Sequence, residues 1–239
     1  MSPRHRRVAV TVAFLVAACG ASEVPAVSSP ASRAVAIRTT SCGDASRTDG
    51  SGVVVADDLV VTAAHVVIGA ADVFVESGVA AESRGEVVAL DTVNDLALVH
   101  TELQGRFAAV VFTELSESDA AMLVGAATSG DVDVEVLRRV LIDVDEVRGT
   151  DVVRRDGYEL LGAIAGGDSG AGVFDADGRL GAVVFAEPRS SRRSEPEESD
   201  RFFATASPAI EALVGGDARD EFACDPGASR LVRVPRAGR

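Results

Sequence analysis

The sequence predicts an all-β fold built from barrels, and three observations lead to that prediction. Hydrophobic residues make up 47% of the 239 residues but aromatic residues only 4%, so the core must consist mainly of Val, Ala, Leu and Ile. Branched aliphatic side chains of this kind favour strands over helices. Short apolar runs recur at close spacing without the long apolar period of helices, which is typical of barrels.

The first half of the folded part, residues 33–118, contains six short apolar runs. They are predicted as strands at 35–38, 53–56, 59–62, 73–75, 86–90 and 96–99. The second and third runs flank Asp57-Asp58, which predicts a hairpin with an acidic turn. Frequent strand signals separated by short turns therefore fill this half of the chain.

The second half, residues 119–214, continues the pattern and ends in a helix signal. Strands are predicted at 132–136, 142–144, 158–164, 181–186 and 202–206. Asp177-Gly178 marks a hairpin turn before the fourth of these runs. Ser207 as N-cap, Pro208 at the first helical position and Gly215 as a stop predict a short closing helix.

The N-terminus carries a targeting signal. Residues 1–18 combine three early arginines with an apolar run that is too short to span a bilayer, which indicates a signal peptide. The run ends in Val16-Ala17-Ala18-Cys19, which resembles a bacterial lipobox and predicts lipidation of Cys19. The alternative is an ordinary signal peptide. We expect a protein on the outer face of the bacterial cell membrane, or a secreted one if Cys19 carries no lipid.

The segments around the folded part are predicted to lack structure. Residues 19–32 are small and include two prolines, as in a flexible tether. In the tail, residues 215–239, the triplet Asp225-Pro226-Gly227 predicts that regular structure ends there and that the chain frays. The polar stretch 188–201 is predicted to be a solvated variable loop; the alternative, a specificity loop, depends on the family resemblance described below.

Charge and residue counts exclude two classes of function. The formal net charge of −14 argues against nucleic acid as a partner, because phosphates are bound by basic patches. After removal of the signal peptide, two histidines and the cysteines offer no metal-ligand spacing. We therefore expect neither a metal site nor a cofactor.

The stretch from Ala165 to Phe174 has the composition of a nucleophile turn. Ser169 is flanked by glycines, follows Asp168 and precedes an apolar run. The glycines allow backbone conformations in which N–H groups converge on a developing negative charge, an oxyanion hole. Asp-Ser-Gly also occurs in ordinary turns, so the interpretation depends on a base and a group that orients the base.

Two histidines outside the signal peptide are candidates for the base. His65 closes the apolar run 59–64, where small residues allow a tight turn beneath an imidazole. His100 ends the run 96–99, and nothing around it indicates a catalytic corner. Asp95 lies where a polar turn enters a buried strand, so its carboxylate is placed to face an imidazole N–H. Taken alone, a histidine at the end of a strand is more often simply solvated, and Asp95 would be interpreted as a turn residue at the entry of a strand.

Together, three motifs resemble a known family. Thr62-Ala63-Ala64-His65, then Asn94-Asp95-Leu96, then Gly167-Asp168-Ser169-Gly170 match, in order, the His, Asp and Ser motifs of trypsin/chymotrypsin-like serine proteases of the bacterial secreted and envelope type. The resemblance covers residues 35–214. It implies two six-stranded antiparallel β-barrels, with His65 and Asp95 on the first, Ser169 on the second and a cleft between them.

The resemblance also implies a role for each site residue. Ser169 would attack a peptide carbonyl, His65 would move the proton, and Asp95 would orient the imidazole. The N–H groups of Gly167 and Ser169 would bind the oxyanion. Ala163, six residues before the serine, would lie at the base of the substrate pocket and favour small or apolar side chains.

The sequence departs from the family pattern at two points. Gly170-Ala171-Gly172 stands where the family has Gly-Gly-Pro, which is expected to loosen the turn. No Ile-Val-Gly-Gly-like new N-terminus is present, so Asp168 must be satisfied in another way and activation by cleavage is not expected. Cys42 and Cys224 flank the catalytic region and are expected to form a disulfide, the alternative being two free thiols.

These observations lead to three functional hypotheses. The first is an exported, lipid-anchored serine endopeptidase with a protein or peptide substrate and a membrane association through Cys19. The second is a catalytically weak or inactive binding or sensing module on the same scaffold. The third is a tethered structural protein of the cell envelope.

Overall fold

The computed structural model describes residues 29–42, 46–78, 82–127, 131–147, 151–186, 200–216, 222–225 and 230–233. The predicted signal peptide, Cys19 and most of the predicted tether lie outside these residues. The polar stretch 188–201 lies outside them as well, except for its last two residues. Near the C-terminus, 222–225 and 230–233 are described by their backbone.

The first barrel has six antiparallel strands. They are β1 (Ala34–Ser41), β2 (Arg47–Ala56), β3 (Leu59–Ala63), β4 (Ala70–Ser77), β5 (Ser83–Asp91) and β6 (Leu96–Thr101). They close in the order β1-β2-β3-β6-β5-β4. A one-turn helix, α1 (Ala64–Val67), connects β3 to β4.

The second barrel repeats this architecture. Its strands are β7 (Ala120–Val124), β8 (Asp131–Asp145), β9 (Val152–Leu161), β10 (Gly172–Phe174), β11 (Leu180–Ala186) and β12 (Arg201–Ala206). They close in the order β10-β11-β12-β9-β8-β7. The helix α2 (Ser207–Val214) follows. The prediction of two six-stranded antiparallel barrels with a short C-terminal helix is confirmed.

Three apolar clusters form the core. One fills each barrel, as the inward-facing half of each alternating strand predicts. The third lies between the barrels and includes Val53, Val61, Leu96, Phe174, Leu180, Val183, Ile210 and Leu213. The two barrels and α2 are therefore joined by a continuous apolar interface. This interface determines the relative positions of the residues at its edge.

The structured part begins earlier than the predicted tether allows. Pro30–Arg33 forms a 3-10 helix in front of β1. Arg33 is buried and donates hydrogen bonds to the carbonyls of Val54 and Ala108, both at 2.9 Å. Burial lowers the pKa of this guanidinium. These bonds attach the segment in front of β1 to β2 and to the segment between the barrels.

Two sequence predictions are wrong near the C-terminus. Ser207 is not the N-cap of α2: the cap is Ala206, and the Ser207 hydroxyl donates instead to the carbonyl of Thr113. The tail does not end in fraying chain at residue 225, because β13 (Phe222–Asp225) pairs antiparallel with β14 (Arg230–Arg233). Proline and glycine end a strand but are also the residues of turns that let a chain reverse and pair. Among the helices of the described residues, none is long and apolar enough to cross a membrane.

Candidate active site

The pairing of β3 with β6 brings His65 and Asp95 together. Ala63, the last residue of β3, lies opposite Leu96, the first residue of β6. The residue that follows β3 in α1 and the residue that precedes β6 must therefore be neighbours. Nδ1 of His65 lies 2.7 Å from Oδ2 of Asp95, and the backbone N–H of His65 donates to Oδ1 at 2.8 Å.

The environment of this pair fixes its orientation. The Asp95 side chain is 4% exposed and the His65 side chain 36%, so the carboxylate is shielded while the imidazole reaches the surface. A carboxylate can only accept hydrogen bonds, so Nδ1 carries the proton and Nε2 is left as an acceptor. Asp95 has a φ of 55°, a left-handed conformation that aspartate tolerates better than most residues.

The turn that carries Asp95 is held by the second barrel. We call residues 92–95 the Asp95 turn. Each of its four residues contacts a second-barrel side chain: Thr92 Oγ1 with Glu146 Oε1 (2.7 Å), Val93 O with Arg155 Nε (3.0 Å), Asn94 O with Thr205 Oγ1 (2.8 Å) and Asp95 Oδ2 with Arg155 Nη1 (3.7 Å). Within the first barrel, the Asp91 carboxylate accepts from the N–H groups of Val93 and Asn94. Sequence reasoning found none of these supporting residues.

Ser169 lies on a closed turn after β9. We call residues 165–170 the Ser169 turn. Asp168 N donates to the carbonyl of Ala165 at 3.0 Å, and Ala165 N donates to Oδ2 of Asp168 at 2.8 Å. Asp168 is 1% exposed, and its Oδ1 is buried without a hydrogen-bond partner. In place of a new N-terminus, the backbone of its own turn is thus the partner of Asp168, and it donates a hydrogen bond to one of the two carboxylate oxygens.

The Ser169 turn presents two unused backbone donors. In the hydrogen bonds of the described residues, neither the N–H of Gly167 nor that of Ser169 is a donor. Gly167 has a φ of 102°, which a side chain would strain. A pair of free N–H groups on either side of one residue is the arrangement that an oxyanion needs.

The first barrel holds the Ser169 turn through Ser51 on β2. Ser51 N donates to the carbonyl of Ser169, and its hydroxyl donates to the carbonyl of Gly167, both at 2.8 Å. The same hydroxyl accepts from Ala126 N at 3.0 Å, and Thr62 Oγ1 donates to the carbonyl of Ser51 at 2.7 Å. Sequence reasoning missed Ser51, although flanking glycines within a strand are a signal of close backbone approach.

Glycine is required where the two barrels meet. Gly170 has a φ of 91°, and a Cβ there would lie 2.0 Å from the carbonyl oxygen of Ser51. Ala171, the departure from the family pattern, is fully buried, donates to the carbonyl of Asp168 and accepts from Val184 N. A Cβ at Gly172 would lie 2.6 Å from Cγ2 of Val53. Residues 170–172, where the sequence departs from the family pattern, are therefore held by hydrogen bonds and close packing, contrary to the expectation of a looser turn.

The same small region of β2 contacts both halves of the site. A Cβ on Gly50 would lie 2.7 Å from Cγ1 of Val66, next to His65, and 3.1 Å from the carbonyl oxygen of Ser169. The Ser169 hydroxyl and the His65 ring both belong to described residues, and they form no hydrogen bond with each other. In unliganded enzymes such bonds are often long and tighten when substrate binds.

The remaining predicted site residues lie in different places. Ala163 is exposed, two residues after β9 ends at Leu161. Cys42 directly follows β1 and donates its N–H to the carbonyl of Gly69. The side chain of Cys224 and the whole of Cys19 lie outside the described residues, so the disulfide and the lipidation stay predictions.

A second polar region lies on the first barrel. A cavity of about 690 Å³ is lined mainly by residues of β4, β5 and β6, including Asp72, Arg84, Glu86 and His100, and by Glu102, which follows β6. Asp72 and Arg84, both in this lining, form an ion pair. No group of His, Cys, Asp and Glu side chains within the described ranges is arranged to hold a metal ion. The lining of this cavity includes His100 but no residue of the Asp95 turn or the Ser169 turn.

Known structures share this architecture. The Rv3671c protease from M. tuberculosis in its active form matches with a TM-score of 0.67 and 19% identity, over 87% of this chain and 93% of that one. Its inactive form gives 0.62 and 20%, over 80% and 98%. The HtrA-type protease AlgW with tripeptide gives 0.63 and 17%, over 81% of this chain and 64% of that one. Identities this low show the fold alone.

The family follows from the sequence itself. No curated protein sequence matches the chain significantly. The family model of the trypsin-like peptidase domain matches residues 50–183, more than half of the chain, from within β2 to within β11. The matched range includes His65, Asp95 and Ser169. The chain belongs to the family of trypsin-like peptidases.

Proposed function

We propose that the protein is a serine endopeptidase that hydrolyses peptide bonds through Ser169, His65 and Asp95. The observation that carries this proposal is the buried Asp95 carboxylate 2.7 Å from Nδ1 of His65, next to a glycine-rich serine turn with two unused N–H donors. A serine hydroxyl is a weak nucleophile unless a base is held beside it, and the pair supplies that base.

The mechanism follows from the roles that the geometry allows. Nε2 of His65 takes the proton as Oγ of Ser169 bonds to the carbonyl carbon of the substrate. The N–H groups of Gly167 and Ser169 stabilise the oxyanion of the tetrahedral intermediate. His65 then gives the proton to the leaving amine, and water repeats the sequence on the acyl-enzyme to release the acid and restore Ser169.

Two observations support a peptide substrate. The matching HtrA-type protease structure contains a bound tripeptide, and the family is one of peptidases. Ala163 supplies no carboxylate to a pocket, so we propose a preference for small or apolar residues before the cleaved bond. Profiling with a peptide library, read by mass spectrometry, tests this preference.

We propose further that the enzyme works outside the cytoplasm on a lipid anchor. The support is the sequence signal of residues 1–18, with Cys19 after the apolar run. An oxidising compartment would allow the Cys42–Cys224 disulfide, which by loop entropy would contribute about 4 to 5 kcal/mol. Metabolic labelling with a fatty-acid analogue, lost in Cys19→Ser, tests the anchor.

The decisive experiment for the activity uses a fluorophosphonate probe on the purified folded part. We expect one adduct on the intact chain, absent from Ser169→Ala and reduced by about 10³-fold or more in His65→Ala. His100→Ala is the matched control and should label at the wild-type rate, because His100 lies outside the site. A folded wild-type protein that takes no label would refute the proposal and favour the binding or sensing module.

A further inference from the structure

A buried arginine of the second barrel lies against the carboxylate that orients His65. Arg155, on β9, is 2% exposed, and its Nη1 lies 3.7 Å from Oδ2 of Asp95. The same oxygen is the partner of Nδ1 of His65. Nε of Arg155 donates to the carbonyl of Val93 at 3.0 Å. The guanidinium thus contacts the Asp95 turn at two points.

The far side of the guanidinium is closed by an aromatic ring. Its central carbon lies 4.3 Å from the ring centroid of Phe185 on β11. Phe185 in turn stacks on Phe203 of β12, with 6.4 Å between centroids. A cation over a ring face is attracted by its quadrupole. Arg155 therefore extends from β9 and lies between the Phe185 ring of β11 and the Asp95 turn of the first barrel.

This arrangement is costly if its role is packing alone. Nη2 of Arg155 is buried with no hydrogen-bond partner. Burial lowers the pKa of Arg155, and the charges of Asp95 and Asp91 oppose that effect. Replacing both partners of a buried ion pair by apolar residues is often neutral or stabilising, whereas removing one partner leaves the other charge buried and uncompensated. Asp95 is buried as well, so packing does not explain why both charges are present, and the contact of the Asp95 carboxylate with His65 offers another explanation.

We propose that Arg155 is a positioning residue of the peptidase, which holds the Asp95 carboxylate and through it the imidazole of His65. The inference rests on the proposed function. Asp95 Oδ2 has Nδ1 of His65 on one side and the guanidinium on another, so the carboxylate cannot turn away from the imidazole without leaving the cation. Arg155 contacts no reacting atom and acts through Asp95.

The test compares two neighbouring arginines on β9. Arg155→Met removes the cation and keeps an unbranched apolar side chain. Arg154→Met is the matched control, because Arg154 is 66% exposed and pairs with Asp143 on the opposite face. For Arg155→Met we expect kcat and the rate of fluorophosphonate labelling to fall by about 10- to 100-fold with KM within about twofold. For Arg154→Met we expect no change in either.

A double-mutant cycle separates positioning from a general effect on the fold. In an Asp95→Asn background the carboxylate is gone, so adding Arg155→Met should cost less than about threefold in labelling rate. High probe concentration and long incubation, read by intact mass, make the slow labelling of the Asp95→Asn single and double variants measurable. An equal loss in both backgrounds, or a loss confined to KM, would overturn the proposal.

Two further measurements test the inference if Arg155→Met does not fold or if the wild type takes no label. If Arg155→Met does not fold, Arg155→Lys replaces it: one ammonium cannot span Val93 and Asp95, so kcat should fall by about 3- to 10-fold. A folded Arg155→Lys enzyme with wild-type kcat would overturn the proposal.

If the wild type takes no label, the proposed function fails, but proton NMR still tests whether Arg155 positions the His65–Asp95 pair. The downfield resonance of the His65–Asp95 hydrogen bond should persist in Arg154→Met and weaken in Arg155→Met; an unchanged resonance refutes the inference.

Discussion

The Ser169 turn and the Asp95 turn each belong to one barrel and are held by the other. The Ser169 turn is held by neutral groups of the first barrel, the backbone and hydroxyl of Ser51. The Asp95 turn is held by second-barrel side chains, including two charged ones, Arg155 and Glu146. The relative position of the two turns therefore depends on the barrels being docked.

The contacts that hold the two turns differ in how closely the two barrels must approach. The Ser51 bonds need two backbones to approach so closely that a Cβ on Gly170 would lie 2.0 Å from a carbonyl oxygen. The guanidinium reaches its carboxylate across 3.7 Å from a strand of the other barrel. A close backbone contact tolerates no added atom, whereas a long side chain can be shortened without a clash. The Ser169 turn should therefore be the more sensitive of the two to an added methyl group.

The largest expected effect is that of Gly170→Ala on stability. The new Cβ would also lie 2.4 Å from Oγ1 of Thr62, at a φ of 91°. Overpacking and backbone strain together should lower the free energy of unfolding by about 3 kcal/mol or more. Urea unfolding followed by circular dichroism measures the difference.

Gly166→Ala is the matched control for that prediction. Gly166 belongs to the same turn, but a Cβ there would meet no atom within 4 Å. The free energy of unfolding should change by less than about 1 kcal/mol. Equal losses in the two variants would show that the close approach of the barrels does not determine the stability of this turn.

The next effect is that of Ser51→Ala on catalysis. The variant loses the hydroxyl that bridges the carbonyl of Gly167 and the N–H of Ala126. Its backbone bond to Ser169 remains. The peptide that joins Gly167 to Asp168 then keeps only the bond from Asp168 N to the carbonyl of Ala165. The adjoining N–H of Gly167 is held less firmly, so kcat should fall by about tenfold with little change in KM, and stability by about 1 kcal/mol.

Steady-state kinetics on a peptide substrate test this, with Ser116→Ala as the control for loss of an exposed hydroxyl. A Ser51→Ala enzyme with wild-type kcat would mean that the Gly167 N–H is oriented without the Ser51 hydroxyl. The backbone bond from Ser51 to Ser169 would then be sufficient to hold the Ser169 turn.

Sequence reasoning succeeded where the signal was local. Alternating apolar residues predicted the six strands of the first barrel, but in the second barrel they predicted two strands where β8 is one and missed β7 and β10. Short motifs pointed to His65 and Asp95, whose side chains lie 2.7 Å apart in the structure. The supports of the site are different in kind. Arg155 bonds a carbonyl 62 residues away and Thr205 one that is 111 residues away. No local pattern distinguishes Arg155 from Arg154, because only the pairing of strands decides which of them faces inward.

Local signals also misled where a tertiary contact competed. Ser207 has the residue type and place of an N-cap, yet its hydroxyl bonds Thr113 in the segment between the barrels. The Asp225-Pro226-Gly227 triplet indicated the end of structure, but the backbone on either side pairs as β13 and β14. The partner of Ser207 lies 94 residues away and is invisible in the local sequence. β13 and β14 are close in sequence, with Asp225 opposite Arg230, so there the same residues that end a strand also allow the chain to pair again.

A second buried charge on β9 sharpens the contrast with Arg155. Glu159 is 5% exposed, and both of its oxygens are bonded, Oε2 by Arg138 at 2.6 Å and Oε1 by Arg201 at 2.8 Å. Burial acts to raise the pKa of Glu159, but the hydrogen bonds from Arg201 and Arg138 hold it below its ordinary value. Both oxygens of Glu159 have partners, whereas Nη2 of Arg155 is buried without one, so we expect the Glu159 pairs to stabilise the fold with less desolvation cost left uncompensated.

This contrast predicts the smallest effect, a pH dependence of stability. Because the folded pKa of Glu159 is depressed, its contribution is present above the unfolded value of about 4.3 and is lost as pH falls through the folded pKa. Between about pH 6 and pH 3, the free energy of unfolding should therefore fall less steeply in Glu159→Gln than in the wild type, by about 1 kcal/mol in total. Asp143→Asn, which breaks an exposed and screened pair with Arg154, should change the slope less. Urea unfolding across this range measures all three proteins, and parallel curves for Glu159→Gln and the wild type would show that the two arginines confer no net stabilisation on the carboxylate.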